Sequence, residues 1–121
     1  MKKIILTILT VSISIYSFGQ NSEDLNQKSK DLLSKRDFKN ALPLLKQAAE
    51  NGNAEAEYNY GVCYQQGAEV IKSDSTANAW FLRSAEQGWK DAQFKIAYSY
   101  AKGRGLKQDN KKAFYWSIKC A

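Results

Sequence analysis

One stretch decides how this chain folds, and it reads ANAWFLRSAEQG over residues 77–88. Its small and apolar residues recur at the spacing of a single helix face, i, i+3, i+4, i+7 and i+8. They are Ala77, Trp80, Phe81, Ser84 and Ala85. Gly88 follows in the position after a helix where a left-handed residue is favoured. The stretch therefore predicts an amphipathic helix that ends at a glycine, with Trp80 largely buried.

The same spacing occurs 36 residues earlier and again 36 residues later. The earlier set is Ala41, Leu44, Leu45, Ala48 and Ala49, and the later set is Ala113, Trp116, Ser117, Cys120 and Ala121. Self-similarity at a fixed period is typical of helical repeat arrays. We therefore expect an all-α chain, an α-solenoid of about three antiparallel helix pairs, in which Trp116 is buried like Trp80.

Six helices are predicted from the periodic segments and their caps. They cover residues 21–34, 39–50 and 53–66, a fourth helix that opens at Ser73 or Asp74, residues 90–102, and a sixth helix capped by Asp109. Pro43 is tolerated if the second helix begins near Asn40, and otherwise it kinks the chain. Gly61 lies inside the third helix, where it predicts the close approach of a neighbouring backbone.

The N-terminus has the pattern of a secretory signal peptide. Met1-Lys2-Lys3 precedes an apolar run over residues 4–16, which is too short to cross a bilayer. Ser17 and Gly19 are the small residues that favour cleavage before Gln20. We therefore predict a signal peptide over residues 1–19 and a repeat domain over 20–121, with units of about 21–52, 53–88 and 89–121. The protein is expected to be exported, to the periplasm or the medium, with no membrane insertion after cleavage.

Positive charge is concentrated at the C-terminal end of the chain. The net charge is +6, and from Ala101 onward six basic residues face Asp109 alone. A solvated helix face that keeps the protein soluble explains such a run. The alternative is contact with an anionic partner or a membrane surface. Nucleic acid is not expected as a partner, because the chain has no recognition motif.

The composition argues against catalysis and metal binding. The sequence contains no histidine, which removes Ser-His-Asp and Cys-His catalysis and most zinc sites. Gly103 and Gly105 lie between helices, so they do not resemble a phosphate-binding loop. We therefore predict no catalytic, cofactor-binding or metal-binding residue, and no cofactor.

The two cysteines are expected to be buried free thiols. An even pair in an exported protein raises the question of a disulfide. Cys63 lies on the first helix of one pair and Cys120 on the second helix of the next. Diagonal neighbours of that kind lie too far apart for the Cα spacing of about 5–6 Å that a disulfide requires.

The last 30 residues carry a family pattern. It comprises Ala92, Ala97, Tyr100, Gly103-x-Gly105-Leu106, Asp109, Lys112-Ala113 and Trp116. These residues resemble Sel1-like repeats, a helical-pair family related to tetratricopeptide repeats. The middle unit departs from the pattern at Glu69, where glycine is usual, so its loop is expected to take another conformation. The first unit is looser and looks more like a tetratricopeptide unit with a tight turn.

The resemblance implies a right-handed superhelix whose first helices line a concave face. It also implies a role as an adaptor or scaffold that holds a protein or peptide partner. The concave-face positions it assigns are Asn26, Lys30, Glu55, Val62, Gln65, Gln66, Asp91, Phe94, Tyr98 and Lys102. Phe94 has an alternative placement, in which it packs between repeats.

The final helix predicts a second contact surface. Phe114, Tyr115 and Ile118 cannot all face inward together with Ala113 and Trp116. Exposed apolar residues at the end of a solenoid tend to find partners. Tyr115 and Ile118 are therefore candidates for partner binding, through a homodimer or a docked partner protein.

Two other functions are compatible with the sequence. Some relatives of the family act as immunity-type inhibitors of exported toxins, and some have been proposed to act on cell-wall material. The inhibitor differs from a scaffold only in its partner. The enzyme is disfavoured, because no activated nucleophile or base can be assembled from these residues.

Overall fold

The computed structural model describes residues 21–121, which form six helices in three antiparallel pairs. The helices are α1 (residues 21–34), α2 (Phe38–Glu50), α3 (Ala54–Gln66), α4 (Asp74–Glu86), α5 (Lys90–Lys102) and α6 (Asn110–Cys120). This part of the chain contains no β-strand. The predicted all-α solenoid is confirmed. The predicted signal peptide lies outside the described residues.

The periodic small residues lie where helices cross. Ala41, Ala77 and Ala113 stand 36 residues apart, and all three are buried. One core cluster joins the first two pairs and comprises Leu45, Ala48, Ala49, Ala56, Tyr60 and Cys63. A second joins the last two pairs and comprises Ala77, Phe81, Ala85, Ala92, Ile96, Ala97 and Trp116. Because alanine adds little bulk, the helices approach closely and each pair packs on the next.

Polar side chains fix where four of the helices begin. Asp37, Asn53, Ser73 and Asp109 each accept a hydrogen bond from the backbone N–H three residues on. The predicted caps Ser73 and Asp109 are confirmed. Helix α2 begins at Phe38, earlier than predicted, so Pro43 lies in its second turn. There proline cannot donate the usual hydrogen bond to the carbonyl of Lys39.

Gly61 is required by the distance between α3 and α4. A Cβ at this position would lie 2.7 Å from Cε1 of Phe81 and 3.1 Å from the carbonyl oxygen of Ala77. Contacts that short force a neighbouring atom to move. The predicted close approach is therefore confirmed, and it brings the ring of Phe81 directly against the α3 backbone.

The expectation that both tryptophans are largely buried is confirmed for Trp116, and Trp80 packs against the core cluster between the first two pairs but is covered less fully. Trp116 is buried, whereas Trp80 is half-buried and Phe81 takes the fully buried position at the centre of α4. Trp80 instead packs edge-on against Tyr60, with ring centroids 5.0 Å apart. The guanidinium of Arg83 lies 4.6 Å from the centroid of the Trp80 ring. The buried stripe of α4 thus keeps four of the five predicted residues, and Asn78 is buried in place of Trp80.

Both cysteines are free thiols, as predicted. Cys63 is buried in the core cluster between the first two pairs, and burial raises the pKa of its thiol. Cys120 is only half-buried, because the outer side of α6 has no helix over it in the described chain. The predicted burial is therefore correct for Cys63 alone.

The loop that contains Glu69 does not differ from its counterpart one repeat later, contrary to expectation. Glu69 has a φ of 57°, and Gly105 at the corresponding position has a φ of 73°. The backbone hydrogen bonds of the two loops also match. The N–H of Ala68 donates to the carbonyl of Cys63, and the N–H of Arg104 donates to the carbonyl of Ser99, each at 3.0 Å. The repeat geometry therefore imposes a left-handed backbone on a glutamate, at a cost in free energy.

Replacing that glutamate by glycine should stabilise the fold. We expect Glu69→Gly to raise the free energy of unfolding by about 0.5–1 kcal/mol, because glycine adopts a positive φ without steric cost. Glu69→Ala keeps the Cβ and should bring no gain. Urea unfolding followed by circular dichroism measures both variants. Equal stability of the glycine and alanine variants would show that the loop carries no strain.

Candidate partner-binding face

The first helices of the three pairs lie side by side and are joined by polar side chains. Lys30 Nζ on α1 lies 2.9 Å from Glu55 Oε1 on α3. Lys95 Nζ on α5 donates to Gln65 Oε1 on α3 at 2.9 Å. These contacts cross from one pair to the next. We call the surface formed by α1, α3 and α5 the first-helix face.

Asn26 is not an accessible part of this face. Its side chain is fully buried, and its Nδ2 donates to Glu55 Oε2 at 3.0 Å. The candidate role of Asn26 as a partner contact is therefore wrong. It holds the Glu55 carboxylate in place instead. Lys30 is half-buried beside the same carboxylate, and its hydrogen bond to Glu55 raises the pKa of the ammonium group.

A surface depression of about 320 Å³ forms the most distinctive part of the face. It is lined by Gln65, Phe94, Lys95, Tyr98 and Arg104. Phe94 is 62% exposed and Tyr98 is 45% exposed, one helical turn apart on α5. The alternative that Phe94 packs between repeats is therefore wrong for the described chain. The depression combines two aromatic surfaces with two cations.

The other candidate residues lie outside this depression. Val62 is half-buried and packs against the core between the last two pairs. Gln66 and Lys102 are exposed at the C-terminal ends of α3 and α5. Asp91 is exposed in the first turn of α5, beside a smaller depression of about 250 Å³. The face thus carries Glu55 and Asp91 in the first turns of α3 and α5, and Lys102 in the last turn of α5.

Two cations of the depression, Lys95 and Arg104, are not among the residues predicted from the sequence. Arg104 Nε lies 3.3 Å from Asp74 Oδ2, and its carbonyl accepts a hydrogen bond of 2.7 Å from Asn78 Nδ2. A signal was present, because the preceding repeat has Asn59 and Ala68 at the corresponding positions. Charged departures from the repeat pattern identify positions that the repeat core does not need.

A buried carboxylate braces α3 against α4 beneath this face. Glu57 is almost fully buried, and Arg83 Nε lies 3.0 Å from its Oε2. Gln87 donates a second hydrogen bond to the same carboxylate. Burial raises the pKa of Glu57, and the opposing effects of Arg83 and Gln87 do not cancel that rise. The following repeat has the neutral Gln93 at this position, where Nε2 donates to the Ala85 carbonyl at 3.1 Å.

The elevated pKa of Glu57 makes stability depend on pH. Folded protein retains the Glu57 proton to a higher pH than unfolded protein, so its stability should fall as pH rises above the ordinary value of 4.5. Glu57→Gln removes this titration and copies Gln93. We expect the variant to gain stability relative to wild type between pH 4.5 and neutrality.

Urea melts at several pH values measure this difference, and Glu69→Gln, which removes an exposed carboxylate, is the matched control. A constant difference between Glu57→Gln and wild type across that range would contradict the assignment.

The outer side of α6 is the second candidate surface. Tyr115 is 52% exposed and Ile118 is 59% exposed, and Phe114 beside them is 69% exposed. Lys119 Nζ lies 5.1 Å from the Tyr115 ring. The sequence predicts that Phe114 cannot face inward with Ala113 and Trp116, although only Tyr115 and Ile118 are candidate contacts. The three side chains form an apolar strip bordered by lysines.

The described residues contain no group of three or more His, Cys, Asp or Glu side chains that could hold a metal ion. Nor is any helix within residues 21–121 both long enough and apolar enough to cross a membrane.

A family model for the Sel1 repeat matches three successive segments, residues 27–53, 54–89 and 90–121. The chain belongs to the Sel1 repeat family. Each matched segment contains the small residues and the helix pairing described above. Sel1 repeats generally mediate protein–protein interactions, so the family establishes a class of function without naming a partner.

Curated relatives share part of this sequence. The chain is similar to the chitin synthase regulator SKT5 of Saccharomyces cerevisiae, with 35% identity over 77 residues. It is also similar to the putative sel1-like repeat-containing protein L21 of Acanthamoeba polyphaga mimivirus, with 33% identity over 58 residues. These matches cover 62% and 48% of this chain but 11% of either relative.

Solved structures have the same fold. A Sel1 repeat protein from Oxalobacter formigenes superposes with a TM-score of 0.74 at 30% identity, over 78% of this chain and 39% of that one. The protective antigen c5321 of uropathogenic Escherichia coli superposes with a TM-score of 0.78 at 23% identity, over 88% of this chain and 25% of that one. This chain therefore spans less than half of either structure.

Proposed function

We propose that this protein is an exported binding scaffold that holds a protein or peptide partner on its first-helix face. The observation that carries the proposal is the exposed aromatic pair Phe94 and Tyr98 beside Lys95 and Arg104. Exposed aromatic and arginine side chains are typical of the residues that dominate binding energy at protein interfaces. The yeast relative is named a regulator of chitin synthase, which is consistent with action through another protein.

The charges of the face favour a partner segment of a particular chemistry. The depression offers apolar contact from the two rings and hydrogen-bond donors from Lys95 and Arg104. A segment with an apolar side chain next to an acidic residue would satisfy both. Asp91, exposed at the other end of α5, would favour a basic residue there and thereby orient the segment.

Crosslinking at defined positions tests the face directly. A photoreactive amino acid in place of Gln66 should capture the partner, because Gln66 is exposed on the first-helix face. The same substitution at Ala79, exposed on the second helix α4, is the matched control and should capture little. Equal capture at the two positions, or none at Gln66, would remove the first-helix face as the binding site.

Export is the second part of the proposal, and it is supported by the basic start, the apolar run over residues 4–16 and the small residues Ser17 and Gly19. We expect the exported protein to begin at Gln20. Intact-mass measurement of protein recovered outside the cytoplasm tests the prediction. Recovery of exported material that retains Met1 would contradict it.

We also propose that the outer side of α6 is a contact surface, for a second copy of the chain or for a partner protein. The exposed apolar strip of Phe114, Tyr115 and Ile118 supports this proposal. A symmetric dimer would bring the lysines bordering two identical strips together, so the charge favours an acidic partner over a second copy.

A further inference from the structure

The last helix pair carries a groove with the shape of a helix-binding site. Phe94 and Tyr98 on α5 correspond, 36 residues later, to Tyr58 and Val62 on α3. Phe114 and Ile118 on α6 correspond in the same way to Asn78 and Leu82 on α4. We call the surface formed by Phe94, Tyr98, Phe114 and Ile118 the end groove.

The corresponding groove inside the array is occupied by a helix. Tyr58, Val62 and Leu82 pack against the core cluster to which α5 contributes Ala92, Ile96 and Ala97. Asn78 accepts a hydrogen bond of 2.7 Å from Ser99 Oγ on the same helix. The groove between α3 and α4 therefore holds α5. The repeat relation gives the end groove the same outline, with all four of its side chains exposed.

The end groove is more apolar than its internal counterpart. Asn78 makes polar contacts with Ser99 and Arg104, but the corresponding residue of the end groove is Phe114, which can make none. Gln65, which accepts a hydrogen bond from Lys95, corresponds to Ala101. The end groove therefore suits an apolar helix stripe rather than the polar contacts through which α5 is held.

Lysines mark one end of this groove. Lys102 follows Tyr98 by one turn on α5, and Lys111 precedes Phe114 by three residues on α6. Because α5 and α6 are antiparallel and joined by a short loop, both lysines lie at the same end. Neither forms a salt bridge with another described residue, and the corresponding internal residues are the uncharged Gln66 and Ser75.

We propose that the end groove binds an amphipathic helix of a partner protein. The apolar stripe of that helix packs on Phe94, Tyr98, Phe114 and Ile118, and its acidic residues meet Lys102 and Lys111. The inference rests on the proposed role as a binding scaffold, and it adds to the contact surface proposed on α6 a second wall on α5 and a helical ligand. Helices that lay an apolar face into a groove are a common mode of peptide recognition.

A defined peptide tests this proposal. The apolar stripe of the peptide copies Ala92 and Ile96 of α5, and its other positions carry glutamate. A hydrocarbon crosslink on its outer side keeps it helical. We expect this peptide to bind at least about tenfold more tightly than a peptide of the same composition with a scrambled stripe. Phe114→Glu with Ile118→Glu should weaken binding by at least about tenfold while leaving the circular dichroism of the protein unchanged.

A charge swap separates the groove from non-specific attraction. Lys102→Glu with Lys111→Glu should reverse the preference, so that a peptide with lysine in place of glutamate binds better than the glutamate peptide. Lys35→Glu with Lys39→Glu makes the same change of charge on exposed residues of the first pair and should leave the preference intact.

Three results would overturn the inference. The first is equal binding of the ordered and scrambled peptides, and the second is binding that survives the Phe114 and Ile118 substitutions. The third is evidence for another occupant of the groove. That occupant would be a second copy, seen as a dimer by light scattering, or a membrane surface, seen as binding to equimolar phosphatidylglycerol–phosphatidylcholine vesicles. In either case the Phe114 and Ile118 substitutions would abolish the dimer or the vesicle binding. Crosslinking at Gln66 is independent of these residues, so failure of the end groove and failure of the first-helix face are distinguishable.

Discussion

The close crossing of α3 and α4 at Gly61 is the contact on which the rest of the array depends. Phe81 lies against Gly61, is fully buried and forms part of the core on which α5 packs. The separation of α3 and α4 therefore sets the position of α5, and with it the depression on the first-helix face. In the third pair Ala97 stands in place of Gly61, and Ser117 stands in place of Phe81. The larger residue on the first helix is thus matched by a smaller residue on the second.

Polar contacts give each junction of the array its own character. The second pair is braced by the buried Glu57, whereas the third uses the neutral Gln93 at the same position. Asn78 joins the second pair to Ser99 and to the loop at Arg104. Small residues repeat with the period and the polar braces do not. The architecture therefore comes from the repeated residues, and the chemistry comes from those that break the repeat.

Two candidate surfaces share one pair of aromatic residues. Phe94 and Tyr98 line the depression on the first-helix face and also one wall of the end groove. The corresponding Tyr58 and Val62 are partly covered by the next repeat, whereas within residues 21–121 no helix covers Phe94 and Tyr98. A partner that covers both surfaces would bury the pair from two sides. This arrangement would couple the two contacts through the same side chains.

The sequence by itself determined the six helices, their pairing, the caps at Ser73 and Asp109 and the need for Gly61, since these depend on spacing and on local backbone chemistry. Tertiary structure alone decided which side chains within each stripe are covered. It buried Asn26 beneath Glu55, left Trp80 half-buried beside Phe81, and brought Lys95 and Arg104 together. The same context held Glu69 in a left-handed conformation that local preference opposes. The physical reason is that periodicity specifies which face of a helix is apolar, whereas the burial of each side chain depends on the neighbouring helix that covers that face.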